Sequence, residues 1–234
     1  KTQKEVGLFS AAFKVLEPSV FIPAMFVGLV MPFFSKYAVF DRQMFARYFQ
    51  RSFDVISIIA LPIVFGGIFF SNEIMGLLGG ENFLEASAAL KIIMLATGFI
   101  FFGNLFGNAL IALEKQKKLM LIYAAGAILS VFLNVFFIKK YSYLGAAGVT
   151  AAVEAVVVSL MVVLFYKTAE FFPNFKIFLK GLLASLIMAA AIIAFKNFGF
   201  IAAFAGASLV YLAAIYLIGG VTKDEIKMIF KKPI

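Results

Sequence analysis

Residues 117–166 decide the fold, and they read KKLMLIYAAGAILSVFLNVFFIKKYSYLGAAGVTAAVEAVVVSLMVVLFY. Two long apolar runs, 117–138 and 145–166, are separated only by a short turn at Lys139-Lys140-Tyr141. A hydrocarbon core of about 30 Å is crossed by ~20 residues of α-helix at 1.5 Å per residue. Hydrocarbon offers the backbone no hydrogen bonds, so the pattern predicts two consecutive transmembrane helices.

The same pattern occupies the rest of the 234-residue chain, which is 64% hydrophobic and only 14% charged. The runs are too long for the alternating strands of a membrane barrel. We therefore predict an all-α fold, a polytopic membrane bundle of seven transmembrane helices. Besides the two above, the predicted spans are 5–36, 48–70, 86–113, 176–196 and 199–219.

Three further segments are predicted to lie at the membrane surface. Residues 41–53 alternate arginines with Phe and Tyr, as in a basic amphipathic helix that enters the second span. Residues 71–80 combine a possible N-cap with a Gly79-Gly80 stop, which predicts a short helix. Residues 222–234 begin with a capping box and predict an amphipathic tail.

Lys and Arg lie mostly on one side of this predicted bundle. Fourteen of the 21 fall on alternate connections and on the C-terminal tail, whereas five fall on the opposite side and two lie inside spans. Positively charged flanks are retained in the cytoplasm, so the N-terminus is predicted outside and the C-terminus inside. The net charge of +9 is explained by this bias and by anionic lipids, and it gives no reason to expect nucleic acid as a partner.

The composition also narrows the chemistry. The chain has no Cys and no His, which removes disulfides, thiolate or imidazole metal sites and Ser-His or Cys-His nucleophiles. It has no phosphate-binding loop of the form G-x-x-x-x-G-K-[ST]. We expect neither an enzyme nor a resident cofactor or metal; a coupling ion, H⁺ or Na⁺, stays possible.

The first span carries charge. Lys14 and Glu17 are three residues apart and therefore neighbours on one helix face, and Pro18 and Pro23 favour a bend there. A charge within the bilayer costs about 3 kcal/mol, so these side chains should face an interior. Two interpretations stay open: an ion pair that permits insertion, or a polar cavity for an anionic or ion-coupled substrate.

Amides and one carboxyl group are the other polar candidates. Asn104 and Asn108 lie one turn apart on a GxxxG spacing, and Asn134 shares a face with Gly126 and Ser130. Close packing with hydrogen bonds across helices is the simpler role for these residues. Glu154 lies one turn beyond Thr150 within a run of Ala and Val, where a carboxyl group is expected to be protonated, hydrogen-bonded or bound to a cation.

Several segments resemble a known family. EVGLFSAAFKVLEP at 5–18 is similar to the segment that opens the C-terminal lobe of Wzx-type polysaccharide flippases. The resemblance continues through GNALIAL at 107–113, Asn134, the Lys139-Lys140-Tyr141 turn and GAAG at 145–148. It covers nearly the whole chain and places it in the multidrug/oligosaccharidyl-lipid/polysaccharide exporter superfamily, whose members have two six-helix lobes.

The resemblance implies a MATE-like fold in which this chain supplies about helices 8–14. Residues 1–166 would be lobe helices, 167–221 two additional helices and 222–234 a cytoplasmic tail. Its partners would be the lipid bilayer of the inner (plasma) membrane, a polyprenyl-linked sugar and the N-terminal half of the same transporter. Alternating access would move the sugar lipid from the inner to the outer leaflet. Lys14 would face the pyrophosphate with Glu17 beside it, and Asn104, Asn108, Asn134 and Glu154 are candidates for sugar or ion contacts.

Other functions stay open at this point. A multidrug cation antiporter of the same fold would use carboxylates such as Glu17, Asp54 and Glu154. A membrane enzyme is disfavoured by the short loops and the absence of His. A subunit that assists assembly without transport is the third alternative.

Overall fold

The computed structural model describes residues 3–221, and nearly all of them are helical, with no strand in that range. This confirms the predicted all-α fold; the predicted tail at 222–234 lies outside the described residues. Short 3₁₀ turns occupy Glu81–Ala86 and Lys196–Phe198. The helices are α1 (Gln3–Phe40), α2 (Arg42–Phe69), α3 (Ser71–Gly79), α4 (Ser87–Ala112), α5 (Gln116–Ala169), α6 (Lys176–Phe195) and α7 (Phe200–Leu217).

Helix α5 is a hairpin. At 54 residues it would measure about 80 Å if straight, far more than a bilayer core of ~30 Å. Its backbone breaks at Ser142, where φ is 54° and ψ is −134°. A Cβ on Gly126 would lie 2.5 Å from Cγ2 of Val157, so the arm at 116–141 (α5a) runs back along the arm at 143–169 (α5b).

The seven predicted spans are therefore present. Within residues 3–221, six helices are long and apolar enough to cross a membrane, and each arm of the folded α5 is long enough to do so by itself. The protein is a multi-pass membrane protein. The short α3 also lies where the sequence predicted a short helix, at 71–80.

The basic segment at 41–53 differs from its prediction. It is the first part of α2, where Asp41 Oδ1 accepts hydrogen bonds from the backbone N–H groups of Gln43 and Met44, both at 3.0 Å. Phe45 and Phe49 are buried in the protein and do not face lipid, because the ends of other helices cover them. A hydrophobic face looks the same in sequence whether lipid or protein covers it.

An aromatic cluster holds this end of the bundle together. The rings of Phe49 and Phe165 stack with centroids 4.2 Å apart, and Phe106 lies 5.2 Å from each of them. Gln50 exchanges two hydrogen bonds with the backbone of Asn174. The connection between α5 and α6 is thus tied to α2.

Helix α6 packs on α7 and on α2. Lys180 donates a 2.7 Å hydrogen bond to the carbonyl oxygen of Gly219, and Tyr211 donates one to the carbonyl oxygen of Ile58 in α2. Residues 167–221 are therefore attached to the other helices mainly through α2. The division of the chain at residue 166 stays a prediction.

Candidate functional site

A polar stripe runs along the exposed side of α1. Ser10, Lys14 and Glu17 follow one another at helical spacing, and all three are exposed. On the opposite side of the helix, Leu8, Ala12 and Leu16 are buried against the lobe. The stripe therefore points away from the core that the other helices form.

The charges on this stripe are not paired with each other. Among the described residues, no salt bridge joins Lys14 to Glu17, so the self-neutralising ion pair is not what the structure shows. Pro18 lacks an N–H group, and it cannot give the carbonyl of Lys14 its usual helical hydrogen bond. Helix α1 nevertheless continues through Pro18 and Pro23, and the bend at these residues stays a prediction.

Asn104 and Asn108 are half-buried on α4, and their amides bond within their own helix. Asn104 Nδ2 donates to the carbonyl oxygen of Ile100 at 3.1 Å, and Asn108 Nδ2 donates to that of Asn104 at 2.8 Å. The sequence predicts bonds across helices for these donors, whereas both of these bonds stay within α4. Short polar side chains can instead bond the carbonyl one turn back, which satisfies them at once.

The glycines on the same face do make the expected close contacts. A Cβ on Gly103 would lie 3.0 Å from Val158 Cγ2, and one on Gly107 would lie 3.4 Å from Tyr123 Oη. The missing side chains let both arms of α5 approach α4. Helix packing therefore accounts for the glycines of the GxxxG spacing and leaves the two asparagines to be explained.

Asn134 lies in a groove between the two arms of α5 and the start of α1. We call this the hairpin groove; it has a volume of 660 Å³ and is lined by Phe9, Ser130, Asn134, Lys139, Ala146 and Thr150, among others. Asn134 Nδ2 donates to Ser130 Oγ at 3.2 Å, and Thr150 Oγ1 donates to the carbonyl oxygen of Ala146 at 3.0 Å. Amide and hydroxyl groups from both arms of α5 thereby line the same groove, together with Lys139.

Glu154 lies one turn further along α5b and is half-buried. It interacts electrostatically with Tyr123 of α5a. The tyrosine was not among the sequence candidates, since a single Tyr in an apolar span looks like packing. Only the fold of the hairpin brings Tyr123 within electrostatic range of Glu154.

The sequence candidates thus fall into three places. Lys14 and Glu17 share the exposed stripe of α1, whereas Asn104 and Asn108 lie on α4. Asn134 and Glu154 lie on facing arms of α5. All six candidates therefore lie on α1, α4 or α5. The stripe of α1 is not covered by any other element in residues 3–221.

Comparisons with known proteins define the class of this protein. The profile of the MatE family matches residues 3–136, and the chain belongs to this family. The resemblance seen in the sequence is thereby confirmed at the level of the family.

Two curated relatives are named for transport. One is a putative O-antigen transporter of Shigella flexneri, 28% identical over 144 residues, which are 61% of this chain and 34% of the relative. The other is the probable low-salt glycan biosynthesis flippase Agl15 of Haloferax volcanii, 26% identical over 156 residues, 66% of this chain and 33% of the relative. Neither is named as an enzyme, in agreement with the sequence prediction.

A solved structure shares the fold. The lipid II flippase MurJ in an inward closed conformation superimposes with a TM-score of 0.77 at 21% identity, covering 91% of this chain and 47% of that chain. The MATE-like fold is therefore confirmed. The chain spans about a third of the length of the curated relatives and about half of the solved one.

Proposed function

We propose that the protein containing this chain moves a lipid-linked oligosaccharide or polysaccharide precursor from the inner to the outer leaflet by alternating access. Both curated relatives are named for transport or flipping of surface glycans, and the family and fold agree with such a role. The chain supplies one lobe and two extra helices, and the N-terminal half of the same transporter supplies the other lobe. The C-terminus lies in the cytoplasm and the protein lies in the plasma membrane.

The observation that carries the proposal is the exposed, unpaired Lys14. A lysine held against hydrocarbon costs about 2.5–3.5 kcal/mol, so its helix face belongs beside water or a polar ligand. A diphosphate sugar head group is anionic and cannot cross hydrocarbon, whereas a polyprenyl tail can stay in lipid. The stripe of α1 offers the head group a cation, and Glu17 adjusts the charge beside it.

The amides deepen this assignment. Asn134 in the hairpin groove, and Asn104 and Asn108 on α4, keep carbonyl oxygens that can accept hydrogen bonds from sugar hydroxyls or coordinate an ion. Each Nδ2 already donates one hydrogen bond within the described helices, which leaves its second N–H and the carbonyl oxygen available to a ligand.

Lys14→Gln in the full-length transporter tests the proposal. Proteoliposomes that contain a fluorescent polyprenyl-diphosphate sugar should show about tenfold slower flipping, the loss expected when one charge-assisted hydrogen bond is removed. Lys91→Gln is the matched control, because Lys91 is an exposed lysine of α4 away from the stripe. Normal flipping by Lys14→Gln at equal membrane abundance would show that Lys14 does not contact the head group.

A second candidate, the cation antiporter, rests on Glu154. A half-buried carboxyl group in a membrane-spanning helix is suited to exchange a proton or Na⁺ for a cationic drug. Drug-dependent Na⁺ or H⁺ flux that disappears in Glu154→Gln, with no flipping of sugar lipids by the unmodified protein, would favour this function. If the protein shows neither activity, a subunit that assists assembly without transport is the remaining alternative.

A further inference from the structure

A small cavity lies where α2 and α6 end and α3 and α7 begin, away from the stripe and the hairpin groove. Its volume is 160 Å³, and its walls include Phe69, Phe70, Glu73, Lys196 and Phe200. Phe70 and Phe200 meet edge to face, with ring centroids 5.3 Å apart at 87°. The cavity therefore has two aromatic residues in contact and one charge of each sign on its wall.

The carboxyl group of Glu73 is incompletely satisfied. Its Oε2 atom is buried and has no hydrogen-bond partner within the part of the chain that the structure describes. Lys196 lines the same cavity, yet no salt bridge joins the two side chains there. A buried carboxylate oxygen without a donor is costly, so this one calls for a cationic or N–H-bearing partner.

The two charges and the aromatic rings together specify the chemistry of that partner. An ammonium group can donate to Glu73 and lie against the face of a phenylalanine ring by cation–π attraction. Lys196, exposed on the 3₁₀ turn between α6 and α7, can hold an anion at the rim. A ligand with a primary ammonium a few bonds from a phosphate satisfies both groups.

The position selects the source of such a ligand. The cavity lies at the ends of transmembrane helices, at the level where lipid head groups meet water. We infer that it binds the head group of a phosphoethanolamine lipid, with the ammonium at Glu73 and the phosphate at Lys196. A trimethylated head group lacks N–H donors, and a glycerol head group lacks the cation, so both should bind more weakly.

Native mass spectrometry of the purified whole protein tests the inference with palmitoyl-oleoyl phosphatidylethanolamine, phosphatidylcholine and phosphatidylglycerol as probes. The ethanolamine lipid should be retained best, and Glu73→Gln should weaken its retention by about tenfold, as for one lost charge-assisted hydrogen bond. Lys196→Gln should weaken it as well. Glu81→Gln is the matched control, because Glu81 is an exposed carboxylate of the neighbouring 3₁₀ turn.

Any of the following results would overturn the site. Equal retention of all three lipids would show that the cavity does not bind the ammonium group. Retention that Glu73→Gln leaves unchanged would show the same. Thermal stability in lipid-free detergent that falls equally in Glu73→Gln and Lys196→Gln, with retention unchanged, would instead indicate an ion pair between them. Soluble phosphoethanolamine that displaces the lipid at equimolar concentration would contradict a membrane source.

Discussion

Tyr211 of α7 donates a 2.6 Å hydrogen bond to the carbonyl oxygen of Ile58 in α2. Four residues after Ile58 lies Pro62, which has no N–H group and therefore cannot give that carbonyl its helical hydrogen bond. The hydroxyl of α7 thus satisfies a backbone group that α2 cannot satisfy within itself. This bond attaches the last helix to α2 inside the membrane, where water cannot take its place.

The first prediction follows from this bond. Tyr211→Phe should lower the free energy of unfolding by about 0.6 kcal/mol, and by at most ~1.7 kcal/mol, the range measured for hydrogen bonds between membrane helices. Pro62→Ala restores the N–H group of residue 62, so Tyr211→Phe should cost less in that background. The check is a double-mutant cycle by unfolding in mixed micelles. Equal costs in both backgrounds would show that the two residues are not coupled.

The second prediction concerns the end of the bundle where α1 begins. Lys4 Nζ lies 2.8 Å from Glu85 Oε2, and Tyr143 donates to the carbonyl oxygen of Glu85. Both charged side chains are mostly exposed, so the pair should contribute less than about 1 kcal/mol. Lys4→Glu should lower the melting temperature slightly at low salt, and Lys4→Glu with Glu85→Lys should recover it. A deficit that persists in the reversed pair would mean that Tyr143 and the helix ends, not the ion pair, hold this contact.

The third prediction concerns the hairpin of α5. Gly126→Leu should disrupt the packing of α5a on α5b, because even a Cβ at this position would lie 2.5 Å from Val157 Cγ2. Overpacking of this kind costs about 1–3 kcal/mol, and more with a large side chain. Val157→Ala in the same chain should restore part of the loss, as measured by thermal unfolding. Gly28→Leu is the control, because nothing lies within 4 Å of a Cβ there.

The fourth prediction concerns orientation. The 234 residues contain no Cys, so an introduced cysteine is unique within this chain. Cysteine at Asn72, exposed on α3, should react with an impermeant maleimide added to intact cells, whereas cysteine at Lys117, exposed at the start of α5, should react only after permeabilisation. The opposite pattern would invert the topology predicted from the basic residues.

The sequence alone determined the class of fold and most helix limits. Apolar runs such as 117–138 and 176–196 are long enough to cross the bilayer. They do so as helices because a helix satisfies its own backbone hydrogen bonds in hydrocarbon. The glycines of the GxxxG spacing also signalled close contacts correctly, since a missing side chain is visible without knowing the neighbour. The family resemblance, carried by segments such as 5–18, was likewise readable before any coordinates.

Only the tertiary structure decided which groups meet. Helix periodicity predicts which face of α1 carries Lys14. It does not predict that Lys14 and Glu17 form no salt bridge, or that no described helix packs over this face. The pairing of Tyr211 with the carbonyl of Ile58 joins residues 153 positions apart, and no local pattern encodes such a distance. Hydrophobicity and charge act locally and therefore reveal the helices, whereas partners depend on how those helices pack in three dimensions.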